Sequence, residues 1–98
     1  MGTKLKLVAQ KIDISTAIHQ ISEMTARNDH TAAYVAGAKA LGAKELAKKL
    51  DLVRQLVDLE GCLPSKLSDY RHGLYEQLMA FAKQELSAKD FDQFYRAF

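Results

Sequence analysis

The amino-acid sequence predicts an all-α protein, and three observations support this fold class. The 98 residues include a single proline and are rich in alanine, leucine, lysine and glutamine, which are good helix formers. Apolar residues recur at intervals of three and four along most of the chain, which is the spacing of one helix face. Glycine, asparagine and serine stand between these periodic segments, where helices begin and end. We therefore predict a single helical domain over 1–98, built as a small bundle of four main helices.

The pattern leaves the structure of an N-terminal arm, residues 1–12, open. The segment from Lys4 to Val8 alternates like a strand, but its apolar residues could also share one face of a helix. The first main helix is expected over 14–27, where one face carries three isoleucines, Ile14, Ile18 and Ile21. Asn28 and the two residues after it then supply a turn.

The segment 31–60 contains two glycines, Gly37 and Gly42, yet its apolar register continues across both. The continuous stripe consists of Val35, Ala38, Gly42, Leu46, Leu50, Val53 and Val57. Because a turn normally shifts such a register, the pattern favours one long central helix that bends at Gly42. The alternative is a helical hairpin in which Gly42 caps the first of two helices. An unbroken helix would be about 45 Å long, longer than its neighbour could cover, and this excess predicts a homodimer.

A glycine and a proline end this segment and separate it from the next helix. Gly61 and Pro64 form a stop signal, because glycine favours the end of a helix and proline cannot continue one. The following helix is predicted over 66–86, with Ser65 or Ser68 as its N-cap. Its apolar sector is wide, so we expect this helix to contact two neighbours.

The terminal helix, predicted over 88–97, opens at Ser87 and Asp90, which have the spacing of a capping box. Its apolar face holds half of the aromatic residues of the chain, namely Phe91, Phe94, Tyr95 and Phe98. The favoured interpretation is a lid that folds back over the preceding helix, because the short connection at Ser87 allows a sharp reversal. The alternative is an anchor for another protein, and a homodimer that exchanges these helices would satisfy both.

Nothing in the sequence supports catalysis, a metal or another cofactor. Two His–Glu pairs have i, i+4 spacing, His19 with Glu23 and His72 with Glu76, but they point away from the apolar stripes. They are therefore expected to be solvated pairs that stabilise their helices. A single cysteine excludes an intrachain disulfide, so a reducing cytoplasm is the expected compartment. No apolar run is long enough for a membrane span.

We therefore expect a non-enzymatic protein-binding adaptor, regulator or inhibitor that acts through apolar and aromatic helix surface. The candidate residues for a partner or dimer interface are Phe91, Phe94, Tyr95, Phe98, Tyr34 and Leu41. The alternative is a nucleic-acid-associated regulator that uses Lys4, Lys6, Lys11, Lys44 and Lys48. A net charge of +2 is too small to favour this alternative.

Overall fold

The computed structural model describes residues 14–98, and this part of the chain contains five helices and no strand. They are α1 (Ile14–Ala26), α2 (His30–Ala40), α3 (Lys44–Glu60), α4 (Ser65–Glu85) and α5 (Ala88–Ala97). The all-α class is confirmed, but the expected number of main helices was wrong by one, since the predicted helix 31–60 is two helices. The expected N-terminal arm, 1–12, lies outside the described residues. None of the five helices combines the length and hydrophobicity needed to cross a membrane.

The break between α2 and α3 lies at Gly42, which has a left-handed backbone with φ +76°. Glycine adopts this conformation at little cost because it has no Cβ. The N–H of Ala43 donates to the carbonyl of Ala38 at 2.9 Å, and the N–H of Gly42 donates to that of Lys39 at 3.1 Å. These two bonds define a Schellman motif, which ends a helix. The favoured prediction of one long helix is therefore wrong, and the hairpin alternative is correct.

The break also removes the reason for which the sequence predicted a homodimer. After Gly42 the chain reverses, and α3 packs against α2 instead of extending it. The uncovered length of a continuous helix, on which that prediction depended, does not arise. Any dimer must therefore form through another surface of the molecule.

The turn between α1 and α2 has the same hydrogen-bond pattern, with Asn28 in the place of glycine. Asn28 has φ 62°, a value that asparagine tolerates better than most residues. The N–H of Asp29 donates to the carbonyl of Met24 at 2.9 Å, and the N–H of Asn28 donates to that of Thr25 at 2.9 Å. One local motif therefore closes two successive helical hairpins.

The ends of α4 and α5 confirm one predicted cap and correct another. Pro64 occupies the N-cap position of α4 and provides no side-chain cap, so the expected serine cap is wrong. Ser65 is instead the first residue of the helix, where proline at the preceding position already fixes the backbone. At α5 the prediction is confirmed, because the hydroxyl oxygen of Ser87 accepts a hydrogen bond from the N–H of Asp90 at 3.2 Å.

Helix α2 is the centre of the bundle, and it packs against α1, α3 and α4. Its small residues allow this, since Ala33 and Ala38 are completely buried and Gly37 is also buried. The other helices contribute larger side chains to the interior. The largest completely buried ones are Phe94, Ile21, Leu50, Leu74, Leu78 and Val53.

Helix α5 folds back on its own subunit at Gly37 and also packs against α1 and α4. A Cβ atom at position 37 would lie 2.8 Å from Cζ of Phe98 and 3.1 Å from Cζ of Phe94. Both distances are shorter than an ordinary van der Waals contact, so only glycine lets the two rings approach α2 this closely. The terminal helix thus folds back on its own subunit, as the favoured interpretation expected, but it covers α1 and α2 as well as the preceding helix α4.

Candidate interaction surface

Four aromatic rings from α2, α4 and α5 form an aromatic cluster, which we define as Tyr34, Tyr75, Phe94 and Phe98. The ring centroids of Tyr34 and Tyr75 are 5.0 Å apart, and those of Phe94 and Phe98 are 5.1 Å apart in an edge-on arrangement. The Phe98 ring lies 5.6 Å from Tyr34 and therefore links the two pairs. Distances and tilts of this kind are the favoured geometries for aromatic packing. The cluster consequently joins three helices of one subunit.

The six residues predicted for a partner interface do not form one exposed surface. Phe94 is completely buried, and Phe98 and Tyr34 are half-buried within the aromatic cluster. Phe91 and Leu41 are half-buried against the hydrophobic core. Only Tyr95 presents about half of its side chain to solvent, and its ring lies beside that of Phe91.

Sequence reasoning did not find two members of this region, Tyr75 and Arg71 of α4. A guanidinium nitrogen of Arg71 donates to the hydroxyl oxygen of Thr31 at 3.0 Å. The central carbon of the same guanidinium, Cζ, lies 5.4 Å from the centre of the Tyr34 ring. Burial raises the pKa of the Tyr75 hydroxyl, and the neighbouring hydroxyls of Tyr95 and Tyr34 add to the effect. The hydrogen bond and the cation–π contact give Arg71 a structural role that attaches α4 to α2.

The outer face of α3 carries the leucine stripe, which we define as Leu52, Leu56 and Leu59. These side chains are 56%, 40% and 81% exposed, respectively. Spacings of four and three residues place them on one side of the helix. The sector about 100–160° around the helix from Leu52 packs into the core through Leu46, Leu50 and Val53. Helix α3 is therefore apolar on two sides, and the chain buries only one of them.

A polar network lies along one edge of the leucine stripe. Arg54 donates to the carboxylates of Asp51 and Asp58 at 3.1 and 3.0 Å, and the Gln55 amide donates to Asp51 at 2.8 Å. These bonds hold the pKa of the Asp51 carboxyl below its ordinary value, the bond from Gln55 contributing most and that from Arg54 next. Because each pair is three or four residues apart, the network supports the helical conformation of α3.

The lysines of the nucleic-acid alternative are only partly within the described residues. Lys44 and Lys48 are exposed on α3, whereas Lys4, Lys6 and Lys11 lie outside the described part of the chain. Lys48 pairs with Glu45 at 4.0 Å, so this end of α3 carries charges of both signs. Nucleic-acid binding therefore stays a prediction.

The two His–Glu pairs are solvated side-chain pairs on different helices, as the sequence predicted. The distance from Nε2 of the histidine to Oε2 of the glutamate is 3.6 Å for His19 and Glu23 and 3.7 Å for His72 and Glu76. More than half of each of these side chains is exposed. Within residues 14–98, no three histidine, cysteine or acidic side chains come together in a way that could hold a metal ion.

A shallow groove lies between α1 and α3. Its floor is the outer side of α2, formed by Ala32, Ala36 and Ala40. Asp51 and Arg54 stand at its rim, where they already bind each other. Gln20 and Lys39 also line the groove, and they are its only polar side chains without a described hydrogen bond or ion pair. The groove therefore offers mainly small apolar side chains, whereas a small-molecule site combines an apolar lining with several convergent polar groups.

Comparison with known proteins gives no relative. No family model matches the chain, and no curated protein or solved structure is significantly similar to it. Its class is defined by its own structure: a small all-α domain with an intramolecular aromatic cluster and an unburied leucine stripe.

Proposed function

We propose that this chain is a non-enzymatic protein-binding module and that the leucine stripe of α3 is its contact surface. The observation that supports the proposal is the exposure of three neighbouring leucines on one helix face, with Leu59 four-fifths exposed. Single exposed apolar residues are common on soluble proteins, but contiguous apolar patches mark interaction sites. Large side chains at i, i+4 and i+7 are also the usual contacts of a helix with a partner.

The magnitude of the hydrophobic contribution is sufficient for a transient complex. Together the exposed fractions of the three leucines approach two whole side chains. Burying that much leucine contributes about 3–5 kcal/mol, and a complementary partner surface contributes a similar amount. Association itself costs roughly 4–15 kcal/mol in lost freedom of motion. With a cost near the lower end of that range, the balance corresponds to weak affinity, which suits an adaptor or a regulator.

The chemistry of the remaining surface supports a binding role over a catalytic one. The exposed histidines lie on α1 and α4, each beside a glutamate of its own helix, and the half-buried Arg71 contacts Thr31 and Tyr34. Cys62 is exposed and is the only cysteine of the chain. An exposed lone thiol suits a reducing compartment such as the cytoplasm, which is part of this proposal.

The test compares capture of binding partners by three forms of the tagged full-length protein. Leu56→Gln with Leu59→Gln removes most of the stripe. Tyr95→Gln is the matched control, because the exposure of Tyr95, 52%, lies between the 40% of Leu56 and the 81% of Leu59. We expect partners from host extract to be retained by the parent and by the control but lost by the double variant. Unchanged circular dichroism must show that all three forms are helical.

The opposite result would identify a different surface. If Tyr95→Gln loses the partners and the double variant retains them, α5 is the contact helix and the proposal is wrong. Retention by both variants would also exclude the leucine stripe. If the parent protein captures partners from untreated extract but not from nuclease-treated extract, the nucleic-acid alternative is supported instead.

A further inference from the structure

The charges beside the leucine stripe indicate what kind of surface it fits. Lys49 and Glu60 are both exposed, and neither forms an ion pair with another described residue. At 100° per residue, Lys49 lies about 60° and Glu60 about 80° around the helix from Leu52, in the same direction. The two opposite charges therefore stand on the same side of the stripe, one near each of its ends.

This arrangement is complementary to itself when two copies of α3 lie antiparallel. A twofold axis perpendicular to the helices keeps each residue on its own side of the interface and reverses its position along the axis. If Leu52 of one copy faces Leu56 of the other, Lys49 comes within about one residue step, or 1.5 Å along the axis, of Glu60 of the other copy. Because of the twofold symmetry, the Lys49–Glu60 pair forms twice across the interface.

A parallel arrangement does not have this property. A parallel twofold arrangement would place Lys49 and Glu60 of one copy on the opposite side of the interface from those of the other copy, so neither charge would meet one of opposite sign. The charges thus select the antiparallel orientation, while the leucines supply the contact area.

We propose that two copies of this chain associate antiparallel through the leucine stripe, with Lys49 of each copy paired to Glu60 of the other. The proposal rests on the stripe being the contact surface, and it names a second copy as the partner. Because a single helix face is small for a protein interface, the dimer is weak, with a dissociation constant on the order of 100 μM.

The test is analytical ultracentrifugation of the full-length protein at low salt, from about 1 μM to about 1 mM. The mass should rise with concentration from the monomer value of 10.9 kDa towards twice that value. Leu56→Gln should weaken the association at least tenfold, whereas the control Tyr95→Gln should leave it unchanged.

Charge reversal tests the register. Lys49→Glu alone, or Glu60→Lys alone, turns both attractive pairs into repulsive ones and should weaken the dimer roughly two- to thirtyfold. The double variant Lys49→Glu with Glu60→Lys restores opposite charges and should recover most of the affinity. These exposed substitutions keep the helix intact, and circular dichroism checks that they do.

Three outcomes would overturn the proposal. The first is a monomeric mass throughout the concentration range, as expected if residues 1–13 or another protein cover the stripe. The second is a dimer that Leu56→Gln does not weaken, and the third is a double charge variant that associates no better than the single ones. A monomer that still captures other proteins through the stripe would overturn self-association alone and leave the proposed function standing.

Discussion

The close approach of α5 to α2 at Gly37 gives a sharp prediction about stability. Replacing Gly37 by alanine adds one methyl group at a point where Phe98 and Phe94 lie 2.8 and 3.1 Å from the new Cβ. The Phe98 ring is half-buried and can move aside, but the Phe94 ring is completely buried and cannot do so without disturbing the core. Overpacking of this kind costs about 1–3 kcal/mol.

Helix propensity acts in the opposite direction, so a control is needed to separate the two effects. Alanine is favoured over glycine inside a helix by about 1 kcal/mol. Gly73 of α4 provides the control, because a Cβ there would meet nothing within 4 Å. Gly73→Ala should therefore stabilise the protein by about 0.5–1 kcal/mol, whereas Gly37→Ala should be neutral or destabilising by up to about 2 kcal/mol.

The measurement is the free energy of unfolding in urea for the parent and the two variants. The difference between Gly73→Ala and Gly37→Ala removes the propensity contribution and equals the packing cost, about 1–3 kcal/mol. In a protein of this size, this packing cost corresponds to a difference in Tm of roughly 4–24 °C. If Gly37→Ala proves as stabilising as Gly73→Ala, then α5 does not lie against α2 at this point and the argument fails.

Two further predictions concern the aromatic residues. Phe94→Ala should lower the free energy of unfolding by about 3–5 kcal/mol, because the Phe94 ring is completely buried. Tyr95→Ala should change it by no more than about 1 kcal/mol, because Tyr95 is half-exposed. Equal effects of the two substitutions in urea unfolding would contradict this placement of the two rings. Burial raises the pKa of the Tyr75 hydroxyl, so its protonated form is favoured in the folded protein. This contribution to stability is fully present below the ordinary tyrosine pKa of about 10 and is lost as the pH rises from there through the raised pKa. Tyr75→Phe should reduce this alkaline loss, as pH-dependent thermal unfolding can measure.

The parts of the fold that depend on local sequence could be predicted. The bounds of α5 were correct because Ser87 and Asp90 form their cap from neighbouring residues. The break at Gly42 was predicted only as the alternative, because glycine is compatible with both a bent helix and a Schellman turn. The choice between them depends on how well α2 packs against α3 and α4, which involves residues far apart in sequence.

The candidate contact surface could likewise be predicted only in part, because its exposure depends on tertiary packing. A spacing of seven residues places Leu52 and Leu59 on one side of a helix, but an amphipathic pattern does not state which apolar side of a helix the rest of the chain will cover. Helix α3 has two such sides, and its partners α2 and α4 cover the side that carries Leu50 and Val53. Exposure of the leucine stripe therefore follows from the tertiary arrangement, and the sequence could not reveal it.

The order in which the helices pack has a consequence for the folding pathway. Helices α1, α2, α3 and α4 each contact the next one along the chain, and the turns at Asn28 and Gly42 form from neighbouring residues. Such local contacts form quickly, because they require little loop closure. The packing of α5 against α1 joins the most distant described elements, so it carries the largest entropic cost. We therefore expect α5 to dock after the helical hairpins have assembled, and to be the first element that detaches when the protein opens.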